Sequence, residues 1–259
     1  GDGCARFRPG ARVGVPWLHD TCGTCHWCTS ARENLCETAR FTGWTVDGGY
    51  AEYITAREHF CFAVPERYGD EQAAPLLCAG LIGWRALAMA GTAHTLGLYG
   101  FGAAGHLVAQ VALQQGRRVY AFTRPGDSAA QELARSLGVQ WAGGSDEAPP
   151  TPTDGALIFA PVGALVPVAL GHSEPGSTIV CAGIHMSDLP AMPYSLLWKE
   201  RSVRSVANLT RSDGDAFFAW AAEHPLASTT ERFALADANT ALERLRSGRL
   251  TGAAVLDCA

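Results

Sequence analysis

Four cysteines in the first part of the chain have the spacing of a metal site. Cys22, Cys25, Cys28 and Cys36 form the pattern C-x2-C-x2-C-x7-C. Zn²⁺ prefers four soft thiolates in a tetrahedron, and such a closed coordination sphere leaves no position for a substrate. The pattern therefore predicts a structural zinc ion that contributes folding free energy. An iron–sulfur cluster, a zinc ribbon for nucleic acid and four unconnected buried thiols are the alternatives.

A glycine-rich turn near the middle of the chain predicts a dinucleotide site. The segment Gly100-Phe-Gly-Ala-Ala-Gly105 fits the pattern G-x-G-x-x-G and lies between a strand pattern and a helix pattern. We expect Gly100 to permit the tight turn, Gly102 to let the backbone approach a pyrophosphate, and Gly105 to permit close helix–strand packing. The helix N-terminus would hold the phosphates, and an ordinary glycine turn is the alternative. The cofactor-binding residues predicted here are Gly100, Phe101, Gly102, Ala103, Ala104 and Gly105.

The end of the next predicted strand indicates which dinucleotide would bind. NAD sites usually carry an acidic residue there that holds the ribose 2′-hydroxyl. This chain instead has Phe122-Thr-Arg-Pro125. Thr123 can donate a hydrogen bond to a phosphate, and Arg124 supplies a positive charge and a planar set of donors. The two residues favour NADP(H) over NAD(H). An Arg124 that is merely solvated at a loop is the alternative interpretation.

Strand and helix patterns alternate between about residues 92 and 207. The predicted strands are continuously apolar, as expected when helices cover both faces of a sheet. The clearest of them are residues 96–99, 119–122, 156–159 and 178–182. This succession predicts a doubly wound parallel sheet.

The two ends of the chain have a different texture. Residues 1 to about 90 are rich in glycine, cysteine and short β-like runs, which is typical of an irregular β-rich unit. After residue 207 we expect helices around residues 216–222 and 238–245, followed by a strand at residues 253–256.

Composition excludes several classes of partner. The chain has 259 residues, of which 47% are hydrophobic and 17% charged, and its net charge is −5. No cluster of Lys and Arg stands out, so we expect no nucleic-acid or membrane partner. The longest apolar stretch, residues 156–171, contains two prolines and is too short to span a bilayer. The sequence starts with Gly1 and shows no export signal, so we expect a partial chain, metal-binding rather than disulfide-bonded cysteines, and a cytoplasmic location.

Together these features resemble the zinc-dependent alcohol dehydrogenases of the medium-chain dehydrogenase family, over essentially the whole chain. Six segments carry the resemblance: Pro9-Gly-Ala-Arg-Val-Gly14, the four-cysteine loop, Gly48-Gly-Tyr-Ala-Glu-Tyr53, Ala74-Pro-Leu-Leu-Cys-Ala-Gly80, the glycine turn, and Arg246-Ser-Gly248.

The resemblance implies an α/β fold class. A partial β-rich, GroES-like catalytic domain would occupy residues 1–90, a Rossmann domain residues 91–207, and a return to the catalytic domain residues 208–259. The implied reaction passes a hydride between an alcohol and its aldehyde or ketone and NADP(H) or NAD(H).

The resemblance also assigns a catalytic role to Cys78. It matches the third protein ligand of a second zinc, which polarises the substrate oxygen and requires three protein ligands and one open position. Without the resemblance, Cys78 would be interpreted as a small buried hydrophobic residue. The family's other two ligands, a Cys and a His, precede the point where this chain begins, so we expect the polypeptide as written not to turn over. An assay that found two tightly held zinc ions would contradict this expectation.

Further residues match the family at the nicotinamide end of the cofactor site. Ala160, Val162, Cys181 and Gly183 correspond to strand ends that line the nicotinamide, and plain packing at the end of a sheet is the alternative for each of them. His106 follows the glycine turn directly, and we expect it on the helix surface without a catalytic role.

Two other kinds of protein remain possible on the same fold. One is a zinc-free quinone or enoyl reductase, which the four-cysteine loop and Cys78 disfavour. The other is a non-catalytic protein that binds a dinucleotide. Family members are commonly dimers or tetramers, so we expect a homo-oligomer, with residues 187–197 as a plausible interface.

Overall fold

The computed structural model describes residues 1 and 3–258. The chain forms two compact units, one of Gly1–Leu81 with Ala207–Ala259 and one of Ile82–Val206. The first and last parts of the chain therefore fold together, while the middle part forms a unit of its own. The domain boundaries at residues 90 and 207 that the resemblance implies stay a prediction.

The first part of the chain consists of short elements. They are β1 (Val13–Gly14), β2 (Leu18–Asp20), α1 (His26–Thr29), β3 (Arg40–Phe41), β4 (Phe62–Ala63), α2 (Asp70–Ala73) and α3 (Ala79–Met89). β1 pairs with β4 and β2 with β3, both antiparallel. Short 3₁₀ helices lie at Glu33–Leu35, Glu58–Phe60 and Ala74–Leu77. Frequent Gly and Pro residues interrupt any longer strand in this region. A region with so small an apolar core is typically stabilised by a cross-link such as a structural metal ion.

The middle unit is an alternating α/β structure. Its elements are β5 (Thr95–Tyr99), α4 (Ala103–Gln114), β6 (Arg118–Thr123), α5 (Ser128–Ser136), β7 (Trp141–Gly144), β8 (Thr153–Ile158), α6 (Leu165–Gly171), β9 (Ser173–Cys181) and β10 (Ser202–Ser205). A further 3₁₀ helix lies at Tyr194–Leu196. All six strands pair in parallel in the order β7-β6-β5-β8-β9-β10. The strand order reverses between β5 and β8, and crevices at such switch points bind ligands in open α/β sheets.

The strands of the sheet are apolar on both faces because both faces are buried. All five residues of β5 are buried, as are the last five of β6. The Tyr99 and Phe122 rings stack with centroids 4.1 Å apart, and the Tyr99 hydroxyl bonds to His172 Nδ1 at 3.1 Å. Burial raises the pKa of that hydroxyl, so it stays protonated. The predicted doubly wound parallel sheet is confirmed.

The last part of the chain adds α7 (Arg211–Glu223), β11 (Thr230–Ala234), α8 (Ala238–Arg246) and β12 (Ala253–Asp257). β11 and β12 pair in parallel. A capping box fixes the start of α7: Asp213 N donates to Thr210 Oγ1 at 3.1 Å, and Thr210 N donates to Asp213 Oδ2 at 2.8 Å. The helices expected around residues 216–222 and 238–245 lie within α7 and α8, and the final strand within β12.

Among the described residues no single helix is long and apolar enough to cross a membrane. One bent helix pair, Asp70–Leu77 with Ala79–Met89, has the required length and composition.

Candidate functional site

The four predicted zinc ligands come together in one cluster. Cys28 Sγ lies 3.9 Å from Cys22 Sγ and 3.6 Å from Cys25 Sγ. The four sulfur atoms, including that of Cys36, all lie within 4.8 Å of one another, and none forms a disulfide. Zn–S bonds of about 2.3 Å in a tetrahedron place the sulfur atoms about 3.8 Å apart. The donor set and its spacing therefore fit a zinc ion held by four thiolates.

The backbone of the loop prepares the sulfurs for a cation. Gly23 takes a φ of +74°, in the left-handed region that favours glycine, and turns the chain back toward Cys22. Cys25 N then donates to Cys22 Sγ at 3.3 Å. Backbone hydrogen bonds from Thr24 and Cys25 lower the pKa of the Cys22 thiol to about 5. The thiolate is the form of cysteine that binds metal, so the folded loop presents at least one ready ligand.

Two buried polar residues anchor this loop to the last part of the chain. The Glu33 side chain is 3% exposed, and it accepts hydrogen bonds from Arg211 N at 2.8 Å and Arg211 Nε at 3.1 Å. Asn34 Nδ2 donates to the Ala207 carbonyl at 2.7 Å. Arg211 opens α7, so the carboxylate lies at the positive end of that helix dipole. The cysteine loop thus holds the start of α7 in place.

We expect the Glu33→Gln variant to be less stable by about 2 kcal/mol, because it removes a buried charge-assisted pair. Burial opposes the ionised carboxylate, but hydrogen bonds from Arg211 and from the Glu33 backbone, together with the charge of Arg211, outweigh burial and lower the pKa of Glu33. A lowered folded-state pKa adds stability above the unfolded pKa of about 4.3, and this is lost as pH falls below it. Thermal unfolding from pH 7 to pH 3 measures the effect. The gap between wild type and variant should be full at pH 7 and shrink below about pH 4.

Glu37→Gln is the matched control, because Glu37 is exposed in the same segment. It should change stability by less than about 0.5 kcal/mol. A wild type–Glu33→Gln difference that stays constant down to pH 3 would show that the Glu33 carboxylate is not the stabilising group.

Two glycines of the turn are required by close approaches within the middle unit. A Cβ on Gly100, whose φ is +95°, would lie 2.8 Å from Ala160 N, across the switch point between β5 and β8. A Cβ on Gly105 would lie 2.4 Å from the Gly100 carbonyl oxygen, so only glycine lets α4 pack this closely on the turn. The assignment of Gly100 and Gly105 to a cofactor site stays a prediction.

Gly102 differs from these two, because nothing in the protein lies near it. A Cβ there would meet no atom within 4 Å, and Gly102 takes a φ of −89° that other residues adopt. It caps α4 without a side-chain hydrogen bond. The first N–H groups of a helix have no intrahelical partner. In α4 these groups belong to residues that include Ala103 and Ala104, which are both partly exposed. The open space over Gly102 fits a pyrophosphate lying against the backbone. The preceding Phe101 is buried.

The carboxyl end of β6 borders this turn, since Gly100 N donates to the Phe122 carbonyl at 2.8 Å. The side chain of Arg124 is exposed there. Thr123 is 3% exposed, and its hydroxyl bonds to the Gly143 carbonyl at 3.2 Å and to Gln131 Nε2 at 3.1 Å. The Thr123 hydroxyl is therefore used inside the protein, whereas Arg124 is available to a ligand.

The four residues predicted to line the nicotinamide lie at the carboxyl ends of β8 and β9. Gly183 N donates to the Ile158 carbonyl at 3.0 Å, and a Cβ on Gly183 would lie 3.0 Å from the Ala160 carbonyl oxygen. The Ala160 carbonyl accepts from Val162 N at 2.8 Å, and the Cys181 carbonyl accepts from Val206 N. A carbonyl has two lone pairs, so these two oxygens keep a second position for a donor. Val162 is 43% exposed.

Cys78 lies between the 3₁₀ helix Ala74–Leu77 and α3, at the point where the backbone changes from one helix to the other. Its side chain is exposed, contrary to the buried packing role that the residue would have without the family resemblance. Surrounding protein atoms nevertheless desolvate the thiol and raise its pKa. Within residues 1 and 3–258, the four-cysteine cluster is the only close group of three or more metal-ligating side chains, so Cys78 has no two companion ligands there.

Comparison with known proteins agrees with this geometry. The family model of the alcohol dehydrogenase GroES-like domain matches residues 1–66. A probable alcohol dehydrogenase from Mycobacterium tuberculosis is 46% identical over 253 residues, which are 96% of this chain and 72% of that protein. The chain belongs to the zinc-dependent medium-chain alcohol dehydrogenase family. The resemblance stated from the six sequence segments is confirmed.

Other members of this family are similar along the same span. An alcohol dehydrogenase from Geobacillus stearothermophilus is 30% identical, and the match covers 98% of this chain and 77% of that one. Among solved structures, a cinnamyl alcohol dehydrogenase from Sorghum bicolor superposes with a TM-score of 0.89 at 26% identity, covering 100% of this chain and 78% of the other. The Rossmann-type sheet and the GroES-like domain are thus features of this dehydrogenase.

Sequence reasoning misplaced one residue of the site and missed another. His106 was expected on the surface of α4, but it is fully buried and its Nδ1 lies 3.1 Å from the Gly102 carbonyl oxygen. Eight consecutive residues of α4, Gly105–Ala112, are buried, so this part of the helix offers no face to solvent. Glu33 gave no signal in the sequence, because its partner Arg211 lies 178 positions away along the chain. Only the burial of the Glu33 side chain in the folded protein indicates that it needs a partner.

Proposed function

We propose that this dehydrogenase passes a hydride between an alcohol and the corresponding aldehyde or ketone, with NADP(H) as the favoured dinucleotide. The glycine turn at the switch point of the sheet is the observation that carries the proposal. Gly100 and Gly105 are forced by contacts inside the protein, whereas Gly102 leaves open space over the N-terminus of a helix of 12 residues. Such an opening suits the pyrophosphate of a dinucleotide.

The residues at the two ends of the site would hold the two ends of the cofactor. The exposed Arg124 guanidinium would bind a 2′-phosphate on the adenosine ribose, and no acidic side chain follows β6 directly to hold a 2′-hydroxyl. The strand ends at Ala160, Val162, Cys181 and Gly183 would line the nicotinamide. Thr123 would support this site from inside, because its hydroxyl ties β6 to Gly143 and Gln131.

We expect Arg124→Ala to raise the Kd for NADPH about tenfold or more and to leave the Kd for NADH nearly unchanged, because only NADPH carries the charged 2′-phosphate. Fluorescence titration of the two reduced cofactors measures both constants. Arg118→Ala is the matched control, since Arg118 is exposed at the opposite end of the same strand. Equal losses of affinity for both cofactors in Arg124→Ala would place Arg124 elsewhere than at the 2′-position.

The proposed binding of the substrate oxygen depends on Cys78 as a ligand of a catalytic zinc. A catalytic zinc would supply Lewis-acid polarisation of the substrate oxygen, and a bound nicotinamide would supply the hydride donor or acceptor. Cys78 would be one of the three protein ligands that such a zinc requires. The four-cysteine cluster has no open position, so its role is to hold the loop and, through Glu33, the start of α7.

Two measurements test this function in sequence. The first is fluorescence titration of the chain with NADPH and NADH, and the proposal fails if neither binds. The second follows reduced nicotinamide by absorbance with primary, secondary and aromatic alcohols. It uses a protein that combines these residues with the two further ligands that a catalytic zinc needs. Turnover should require Cys78, and a Cys78→Ala protein that retains full turnover would contradict the assigned role.

One observation favours a second candidate, a dinucleotide-binding relative without catalysis. Among the residues that the structure describes, Cys78 is not joined by two further metal ligands. Binding of NADPH without turnover in the second measurement would support that candidate. Turnover that persists after a chelator has removed all zinc would instead indicate a zinc-independent reductase.

A homo-oligomer and a cytoplasmic location stay predictions. Residues 187–197, proposed as an interface, include Leu189 at 57% and Tyr194 at 71% exposure, and the following Trp198 is 59% exposed. The Tyr194 and Trp198 ring centroids lie 5.8 Å apart, and contiguous exposed apolar patches are typical of surfaces that associate. The nine free cysteines are typical of a reducing compartment.

A further inference from the structure

His106 is the buried histidine nearest to the phosphate-binding turn. It is the fourth residue of α4, none of its surface is exposed, and its Nδ1 lies 3.1 Å from the Gly102 carbonyl oxygen. A carbonyl only accepts hydrogen bonds, so Nδ1 carries the proton and donates. The backbone N of His106 donates to the same oxygen at 3.0 Å. Both lone pairs of the Gly102 carbonyl are thus engaged by one residue.

The fixed carbonyl determines where a phosphate donor points. In a trans peptide the C=O and the following N–H are coplanar and point in opposite directions. The Gly102 carbonyl points into α4 toward His106, so the N–H of Ala103 points the other way, out of the N-terminal end of the helix. A Cβ on the neighbouring Gly102 would meet no atom within 4 Å, so the chain is open to a ligand at this end. Gly102 has no side chain to restrict this peptide, and a glycine peptide is otherwise the easiest to rotate.

A second buried polar side chain lies one turn further along the same helix. Gln110, also buried and one turn further along α4, donates from Nε2 to the His106 carbonyl at 3.0 Å. His106 and Gln110 are the two polar residues within the buried stretch Gly105–Ala112 of α4, and hydrogen bonds link Gly102, His106 and Gln110 in a row. Desolvation lowers the pKa of His106, so the ring is neutral at physiological pH and acts as a hydrogen-bond donor rather than as a charge.

We infer that His106 is a positioning residue for the pyrophosphate: its Nδ1–H holds the Gly102–Ala103 peptide in the orientation that presents the Ala103 N–H to the phosphate. The inference rests on the proposed dinucleotide function and adds a residue that does not itself touch the cofactor. A buried histidine that only fills space would have no such effect on the peptide.

Two near-isosteric substitutions separate positioning from packing. Asn places its Nδ2 donor where His has Nδ1, whereas Leu places a methyl group there and is the better apolar filler. ADP-ribose, which contains the pyrophosphate, is titrated into wild type, His106→Asn and His106→Leu by calorimetry. Thermal unfolding without ligand is measured in parallel. We expect His106→Asn to stay within about threefold of the wild-type Kd and His106→Leu to bind about tenfold more weakly.

The order of the two variants decides the inference. If His106 only fills the core, His106→Leu should bind ADP-ribose at least as well as His106→Asn, and that order would overturn the proposal. If His106→Leu does not fold, His106→Ala replaces it as the variant without a donor, and the same order applies. Failure of the wild type to bind ADP-ribose would overturn the proposed function itself, which is a separate outcome.

Discussion

Replacing Gly102 with valine should raise the Kd for NADPH by about 100-fold and leave the melting temperature of the protein almost unchanged. A side chain at Gly102 meets no protein atom within 4 Å, and the φ of −89° is open to other residues. The fold therefore loses only the N-cap preference for glycine over valine, about 1 kcal/mol, which corresponds to a shift of a few degrees at most. A pyrophosphate that lies against the backbone would be displaced, because the two methyl groups of valine would occupy its position. Overpacking together with lost phosphate hydrogen bonds accounts for a penalty of about two factors of ten in affinity.

The measurement pairs cofactor titration with thermal unfolding in the absence of cofactor. Gly171→Val is the matched control: Gly171 also has no atom within 4 Å of a Cβ position, but it lies at the end of α6. It should change neither the Kd nor the melting temperature appreciably. Gly105→Val makes the opposite contrast, since its Cβ would lie 2.4 Å from the Gly100 carbonyl oxygen, and it should lose stability as well as affinity. Wild-type affinity in Gly102→Val would remove the pyrophosphate from this turn.

The sequence is informative about this turn because the relevant contacts are local. Gly100, Gly102 and Gly105 lie within six residues, and each has a requirement that follows from the geometry of a strand–turn–helix unit. The same holds for the four cysteines, since spacings of two residues bring the sulfurs of Cys22, Cys25 and Cys28 close enough together to bind one ion. Continuously apolar strands similarly predict a sheet that is covered on both faces. The fold class and the main motifs could therefore be predicted from the chain alone.

Other features depend on contacts between distant residues and leave little local signal. Glu33 and Arg211 meet across 178 positions, and neither residue type is unusual where it stands. His106 was misplaced because a single polar residue on a helix is ordinarily exposed, whereas α4 is covered on nearly all sides. The start of α7 at Arg211 lies before the apolar pattern from which the helix was predicted, since a capping box and not a hydrophobic stripe sets that end.

The four-cysteine cluster should show the largest effect of any substitution. In Cys28→Ala we expect bound zinc to fall from one ion per chain to nearly none and the melting temperature to fall by about 10 °C. Zinc bound by four thiolates contributes about 10–16 kcal/mol in small domains. Without zinc the loop can unfold locally while the rest of the protein stays folded, so the stability of the whole protein falls by less than this amount. A loss of about 3 kcal/mol corresponds to the expected fall of about 10 °C in melting temperature. Elemental analysis and calorimetry of the purified protein measure both quantities.

The consequences of losing the ion should reach α7, because the cluster and the helix are linked through the chain itself. Glu33 and Asn34 lie between Cys28 and Cys36 and bond to Arg211 and Ala207. If the loop opens, these hydrogen bonds break, and the amides of the first turn of α7 should exchange with solvent faster in Cys28→Ala than in wild type. Cys4→Ala, an exposed cysteine outside the cluster, should retain zinc, melting temperature and protection alike. Added zinc should restore wild-type protein treated with a chelator but not the Cys28→Ala protein. A Cys28→Ala protein that keeps its metal and its protected helix would mean that the sulfurs lie together for packing alone.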